Sequence, residues 1–276
     1  MYIQADTTLL LWQERPAFAK GNSETDIPKM QIFLSPPEIN SKTGVIICPG
    51  GAYGRLSTEK EGREVALWLN TLGISAFVLH YRLGTNGYQH PVPLIDLQRA
   101  MVVVKQNAIR WNLDTAKIGV LGFSAGGHLT STLGTHFDKL YYTPTEEKEL
   151  SISVRPDFMM LVYPVITMQD SFTHNTSRKN LLGDIPSQEL KNLLSNELQV
   201  TSQTPPTFIT HTYDDASVPV ENSLLFFEAL RKAKVPAELH IYASGGHGYG
   251  LRRQLGVHAE WYKHAENWLR SSGFIK

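Results

Sequence analysis

The sequence predicts an α/β fold: a mostly parallel central sheet, helices on both faces, and antiparallel strands at its N-terminal edge. Three observations predict it. From Gly44 onward, short apolar runs of strand type alternate with stretches of helical period. Several runs, such as 43–48, are almost unbroken in apolar residues, as in strands buried on both faces. Two earlier apolar runs, 7–13 and 29–34, flank a polar stretch at 21–26 and read as paired edge strands.

The elements follow in order. Pro36 and Pro37 close the edge-strand section. The strand at 43–48 runs into Pro49, Gly50, Gly51 and Ala52, where glycines let backbone amides approach a ligand closely. Residues 60–72 are rich in helix formers, with Val65, Leu69 and Leu72 on one face and Gly73 as the stop. A strand covers 74–81. In 93–111 the apolar positions Leu94, Leu97, Met101, Val104, Ala108 and Trp111 recur at three and four, which predicts an amphipathic helix. Strands follow at 118–121 and 158–162.

Residues 165–203 are polar, rich in Asn, Ser, Gln and Leu, and lack strand character. They read as an insertion of one or two helices, expected to act as a small lid. A strand at 208–212 leads to Asp214 and Asp215. A helix covers 219–234, with Val220, Leu224, Phe227 and Leu230 expected on its inner face. The last strand, 239–242, leads to Gly245-Gly246-His247-Gly248, and a helix at 257–271 closes the chain. There is no repeat and no Pro/Gly-rich linker, so residues 1–276 are expected to form one domain.

The chain is organised around 117–128, KIGVLGFSAGGH. Gly122-Phe123-Ser124-Ala125-Gly126 fits G-x-S-x-G between a strand and a helix. That context predicts a sharp turn with Ser124 at its apex, exposed above the sheet edge. Side chains two positions before and after would collide, and glycine at 122 and 126 removes the collision.

Three strand ends then carry Ser124, Asp215 and His247. Their order, Ser, Asp, His, is that of the α/β-hydrolase arrangement. A serine hydroxyl needs a base within hydrogen-bond reach, and the base needs an orienting carboxylate. Ser124 is the expected nucleophile, His247 the base and Asp215 its orienter. Asp214 is the competing carboxylate, expected to be solvated or to cap its loop. His128, on the same helix as Ser124, is expected to pack one turn deeper. The oxyanion is expected to meet the amides of Ala125, Gly51 and Ala52.

Composition narrows the function. Of 276 residues, 42% are hydrophobic, and 26 Lys and Arg balance 26 Asp and Glu. No basic stripe points to nucleic acid or an anionic membrane. The single cysteine, Cys48, excludes an intrachain disulfide and reads as a buried thiol. The first residues lack a basic start and a long apolar core, and no apolar span reaches 18 residues, so a soluble cytoplasmic protein is expected. No metal-ligand motif or P-loop is present, and no cofactor is expected. The expected partner is a small ester. The zero net charge leaves room for a homo-oligomer.

The stretches CPGGAYGRLS, RWNLDTAKIGVLGFSAGGHLTSTLGTHFD, RPDFMMLVYPVI and DDASVPVENSLLFFEALRKAKVPAELHIYASGGHGYGL resemble the α/β-hydrolase esterases. They are most similar to bacterial esterase/lipase-like proteins related to acetyl-xylan and feruloyl esterases. The resemblance spans about residues 40–270 and implies the α/β-hydrolase fold. The family's nucleophile in GFSAGG corresponds to Ser124, its aspartate in D-x-x-V-P to Asp215, and its histidine in GGHG to His247. Where hormone-sensitive-lipase-like relatives read HGGG, this chain reads Pro49-Gly50-Gly51-Ala52, which leaves open which two amides donate. Their long N-terminal helical cap is also absent, so the pocket is expected to be open, covered if at all by 165–203. The resemblance implies a carboxylic ester hydrolase for short acyl groups, with acetylated sugars as expected substrates. Tyr53, Tyr88, Trp111 and Tyr249 are aromatic candidates near the strand-end loops, where lone aromatics more often pack than line a site. The competing readings are a prolyl-oligopeptidase-like peptidase and a catalytically silent binding protein of the same fold.

Overall fold

The computed structural model of the chain describes residues 7–144, 147–251 and 256–276. The N-terminal residues 1–6, used above in reading the start of the chain, lie outside the described residues. The eight strands are β1 (Thr7–Leu10), β2 (Lys29–Phe33), β3 (Gly44–Cys48), β4 (Ser75–His80), β5 (Ile118–Phe123), β6 (Met159–Val162), β7 (Thr207–Thr212) and β8 (Ala237–Tyr242). They form one sheet in the order β1-β2-β4-β3-β5-β6-β7-β8. The first two pairings, β1 with β2 and β2 with β4, are antiparallel, and all the others are parallel. This is the α/β-hydrolase fold, with its antiparallel strands at the N-terminal edge.

The seven α-helices are α1 (Glu64–Thr71), α2 (Val92–Gln106), α3 (Ala125–Thr135), α4 (Asn175–Leu182), α5 (Gln188–Leu193), α6 (Glu221–Lys232) and α7 (Trp261–Ser271). Alternate residues of each strand point to opposite faces, and two cores result. On one face Ile46, Val120 and Phe77 pack with Leu97, Met101 and Leu129 of α2 and α3. On the other, Ile47, Leu121 and Phe158 pack with Trp68 of α1 and with Trp261 and Trp268 of α7. The central strands β3 and β5 are buried along their whole length.

Two expectations need correction and one open choice is decided. The inner face of α6 is only partly the expected one: Val220 and Leu230 are buried and Phe227 is half-buried, but Leu224 is exposed. Asn222, Ser223, Phe226 and Leu230 are buried, while Leu224 and Leu225 are exposed. Polar contacts decide this. Asn222 accepts from the amides of Ile166 and Thr167, and the Ser223 hydroxyl meets Nδ1 of His211. Second, packing, the default for lone aromatics, holds for Tyr53, Tyr88, Trp111 and Tyr249, all at least nine-tenths buried. Third, the helix expected over 93–111 ends at Gln106, and 107–112 form turns in which Ala108 and Trp111 still face the core.

Candidate active site

β5 ends at Phe123 and α3 begins at Ala125, so Ser124 is the whole of the turn between them. Its backbone sits at φ 52°, ψ −120°, a strained position for a residue with a side chain. The glycines around it permit this. A Cβ on Gly122 would stand 2.2 Å from the carbonyl oxygen of Gly126, and one on Gly126 would stand 2.0 Å from that of Cys48. The strain lifts the hydroxyl out of the sheet plane toward the loop after β8.

That loop carries His247. Its Nε2 lies 2.9 Å from Ser124 Oγ, and its Nδ1 lies 2.6 Å from Asp215 Oδ2. An Nδ1 facing a carboxylate carries the ring proton, which leaves Nε2 to accept from the serine hydroxyl. The structure therefore brings Ser124, His247 and Asp215 into one hydrogen-bonded chain. Asp214 is not part of it. Its carboxylate accepts from the amides of Gly245 and Gly246 and shapes the histidine loop.

Asp215 is buried and heavily hydrogen-bonded. Oδ1 accepts from the amides of Ser217 and Val218, at 2.9 Å each. Oδ2 faces a second imidazole as well, with His211 Nε2 at 3.2 Å. Burial by itself raises this carboxyl. The hydrogen bonds from His211 and His247, the charge of His247 and the Val218 amide outweigh it and hold Asp215 well below the ordinary 3.8. This favours the ionised carboxylate.

The loop after β3 lies against the serine. Gly50 packs so closely that a Cβ there would meet Ser124 Cβ at 2.9 Å. Its carbonyls are all engaged. That of Gly50 accepts from Ser57, that of Gly51 from Gly54 and Arg55, and that of Ala52 from Asn180 Nδ2. In planar trans peptides this also fixes the amides of Gly51, Ala52 and Tyr53, which point away from those partners. Among the described residues these amides donate to no protein acceptor. The Ala125 amide opens α3, where an N–H has no intrahelical partner.

Two further residues at the site lie outside the sequence reading. Glu61, 4% exposed, sits on the turn before α1. Its Oε2 accepts from Gly50 N–H at 2.9 Å and its Oε1 from the Tyr163 hydroxyl at 2.9 Å. That same hydroxyl accepts from Gly250 N–H. Lys60 donates to the Gly248 carbonyl at 2.6 Å. No motif marks a buried Glu in a helical run, so the sequence carried no signal for it. His128 lies deeper, as expected, between the Tyr53 hydroxyl and the Leu194 carbonyl, 2.8 Å from each.

Gly51, Ala52, Ser124 and His247 open on a cleft of about 520 Å³. Its remaining wall includes Arg55, Lys60, His174, Thr176, Asn180 and Ser217. Among the described residues no Leu, Ile, Val, Phe or Trp lines it. His174, Thr176 and Asn180 come from the insertion, which holds α4 and α5. Among the described residues no metal-binding group of His, Cys, Asp or Glu is present, and no helix is long and apolar enough to cross a membrane.

Comparison with known proteins identifies the family. The BD-FAE family matches residues 30–230. The chain belongs to the BD-FAE family. Among similar curated proteins, the endo-1,4-beta-xylanase B of Butyrivibrio fibrisolvens is 37% identical over 240 residues, 86% of this chain and 37% of that protein. The acetylxylan esterase of Xylanibacter ruminicola is 35% identical over 251 residues, 90% of this chain and 49% of that protein. The chain thus spans half or less of these curated relatives. The solved structure of an acetyl ester-xyloside bifunctional hydrolase from Caldicellulosiruptor lactoaceticus superposes with a TM-score of 0.90 at 43% identity, covering 98% of this chain and 97% of that one. The BD-FAE match and the structural likeness agree on the α/β-hydrolase fold.

Proposed function

We propose that the protein is a serine carboxylic ester hydrolase acting on short acyl esters of polar alcohols, acetylated sugars among them. The observation that carries the reading is the hydrogen-bonded chain Ser124–His247–Asp215 at 2.9 and 2.6 Å, opening on a polar cleft. Ser124 Oγ attacks the acyl carbon while its proton passes to His247 Nε2. Asp215 holds the ring in the Nδ1–H tautomer and stabilises the imidazolium. The negative oxygen of the tetrahedral intermediate is met by the Ala125 amide and by Gly51 or Ala52. Each such donor contributes about 3–4 kcal/mol to the transition state. Collapse breaks the C–O bond, and His247 returns the proton to the leaving alkoxide. Water then repeats the sequence on the acyl-serine and frees the acid.

The absence, among the described residues, of long aliphatic and aromatic side chains from the cleft wall favours small acyl groups, since a long chain would gain little burial there. The names of the relatives point the same way, toward acetyl esters of xylose-containing sugars. The insertion borders the cleft through α4, which fits a partial cover over an otherwise open site.

The test is turnover of p-nitrophenyl acetate, butyrate and octanoate by the wild type and by Ser124→Ala. The reading expects Ser124-dependent turnover that falls with acyl length. Activity that survives Ser124→Ala, or that rises toward octanoate, would overturn it.

A further inference from the structure

The cleft wall contributed by α4 contains a second imidazole, and its hydrogen bonds set which nitrogen faces outward. His174 is the N-cap of α4, and its Nδ1 accepts from the Ser177 amide at 3.4 Å. The Ser177 hydroxyl lies 2.8 Å from the same nitrogen. A ring nitrogen that accepts from an amide carries no proton, so the neutral ring is protonated at Nε2. Among the described residues no protein group meets His174 Nε2. The ring is half-buried, lines the cleft with His247, and lies close enough to feel the charges of both His247 and Asp215. Burial first, and then the charge of His247, lower its proton affinity, which favours the neutral ring. α4 itself is fixed to the chemistry, because Asn180 on its last turn donates to the Ala52 carbonyl at 2.8 Å.

His247 delivers its proton to the leaving alcohol oxygen, so a donor that lines the same cleft as His247 is available to the alcohol half of the ester. We infer that His174 is a specificity-determining residue, donating Nε2–H to a hydroxyl or ring oxygen next to the esterified carbon of a polyol or sugar. This rests on the esterase reading above and adds to it a residue that distinguishes a sugar ester from a simple aryl or alkyl ester. An aryl acetate offers no such oxygen and gains nothing from His174.

The experiment compares a mono-O-acetylated methyl xyloside with p-nitrophenyl acetate for the wild type, His174→Asn and His174→Phe. Asparagine is a favoured N-cap and retains the cap on Ser177 while being too short to present the distal donor. Melting temperature therefore monitors the cap, and kinetics monitor the donor. The expected result for His174→Asn is an unchanged melting temperature and about a 3–10-fold loss of kcat/KM on the xyloside, the scale of one hydrogen bond. p-Nitrophenyl acetate should change less than about twofold, within the loss of no contact at all. His174→Phe should show the same selectivity. Equal losses on both esters, or no loss on either, would overturn the inference. Wild-type turnover of p-nitrophenyl acetate without turnover of the xyloside would overturn it while leaving the esterase standing. Turnover of neither would bring down the esterase reading first.

Discussion

Tyr163 donates its hydroxyl proton to Oε1 of Glu61 across 2.9 Å, and through this contact three loops of the site are held together. Glu61 Oε2 takes the Gly50 amide under the nucleophile, and the Tyr163 oxygen takes the Gly250 amide beyond His247. The Tyr163 ring also packs on the His247 imidazole, with centroids 4.8 Å apart. Tyr163→Phe keeps the packing and leaves the Glu61 oxygen and the Gly250 amide without partners. A buried unsatisfied group costs about 1–3 kcal/mol. We expect a lower melting temperature and a fall in kcat larger than any rise in KM. An unchanged kcat in steady-state assays would show that the clasp does not position the site.

His211 supplies the second N–H on Asp215, and Ser223 at 2.7 Å fixes its tautomer. Nε2 faces two acceptors, Asp215 and the Val218 carbonyl, so the proton is there and Nδ1 accepts from the serine. Its loss should let the carboxylate rotate away from His247. For His211→Ala the expected outcome is about a tenfold or greater loss of kcat/KM, the scale of a hydrogen bond to a charged group. Ser223→Ala should give a smaller loss in the same direction. Wild-type kinetics in both variants would contradict this role.

The turn at Ser124 has no room for methyl groups. Gly126→Ala would set a Cβ 2.0 Å from the Cys48 carbonyl oxygen, a backbone atom that cannot swing aside. Overpacking of this kind costs about 1–3 kcal/mol. We expect Gly126→Ala to be destabilised in denaturant titration and to lose activity more than stability, because relief of the clash moves Ser124.

Acid should destabilise the fold through buried histidines. Burial pushes His128, His80 and His90 down from 6.5 to about 4. Each binds a proton more readily in the unfolded chain than in the fold. Stability is therefore full above about 6.5, is lost as pH falls toward about 4, and levels off below that. For the fully buried His128 the loss is about 3 kcal/mol at 1.36 kcal/mol per pH unit. Melting temperatures measured from pH 7 to pH 4 should fall, and His128→Gln should flatten that slope. A flat wild-type profile would contradict the assignment.

Much of this was legible in the sequence, for physical reasons. Strand type, order and the edge pair follow from apolar runs broken by Gly and Pro. The serine turn follows from the two glycines that it requires. His247 and Asp215 stand directly after strands, where an α/β sheet places its chemistry. What escaped depended on contacts across the chain. Leu224 reads as an inner residue of α6 by period alone, yet Asn222 and Ser223 face inward because Ile166, Thr167 and His211 need partners. Tyr53 and Tyr249 sit next to the site in sequence and turn inward in space. Glu61 looks like any surface glutamate until the Gly50 amide and the Tyr163 hydroxyl close on it. His174 lies in a segment with no pattern beyond its polarity.

The central claim is that Ser124 is a nucleophile activated by His247. The most direct measurement is labelling with a fluorophosphonate, followed by mass analysis of the peptides. The account predicts stoichiometric modification at Ser124 in the wild type and its loss in Ser124→Ala. Labelling should be strongly slowed in His247→Ala, whose serine has lost its base. Modification at another residue, or an unmodified Ser124 in protein that hydrolyses p-nitrophenyl acetate, would contradict it.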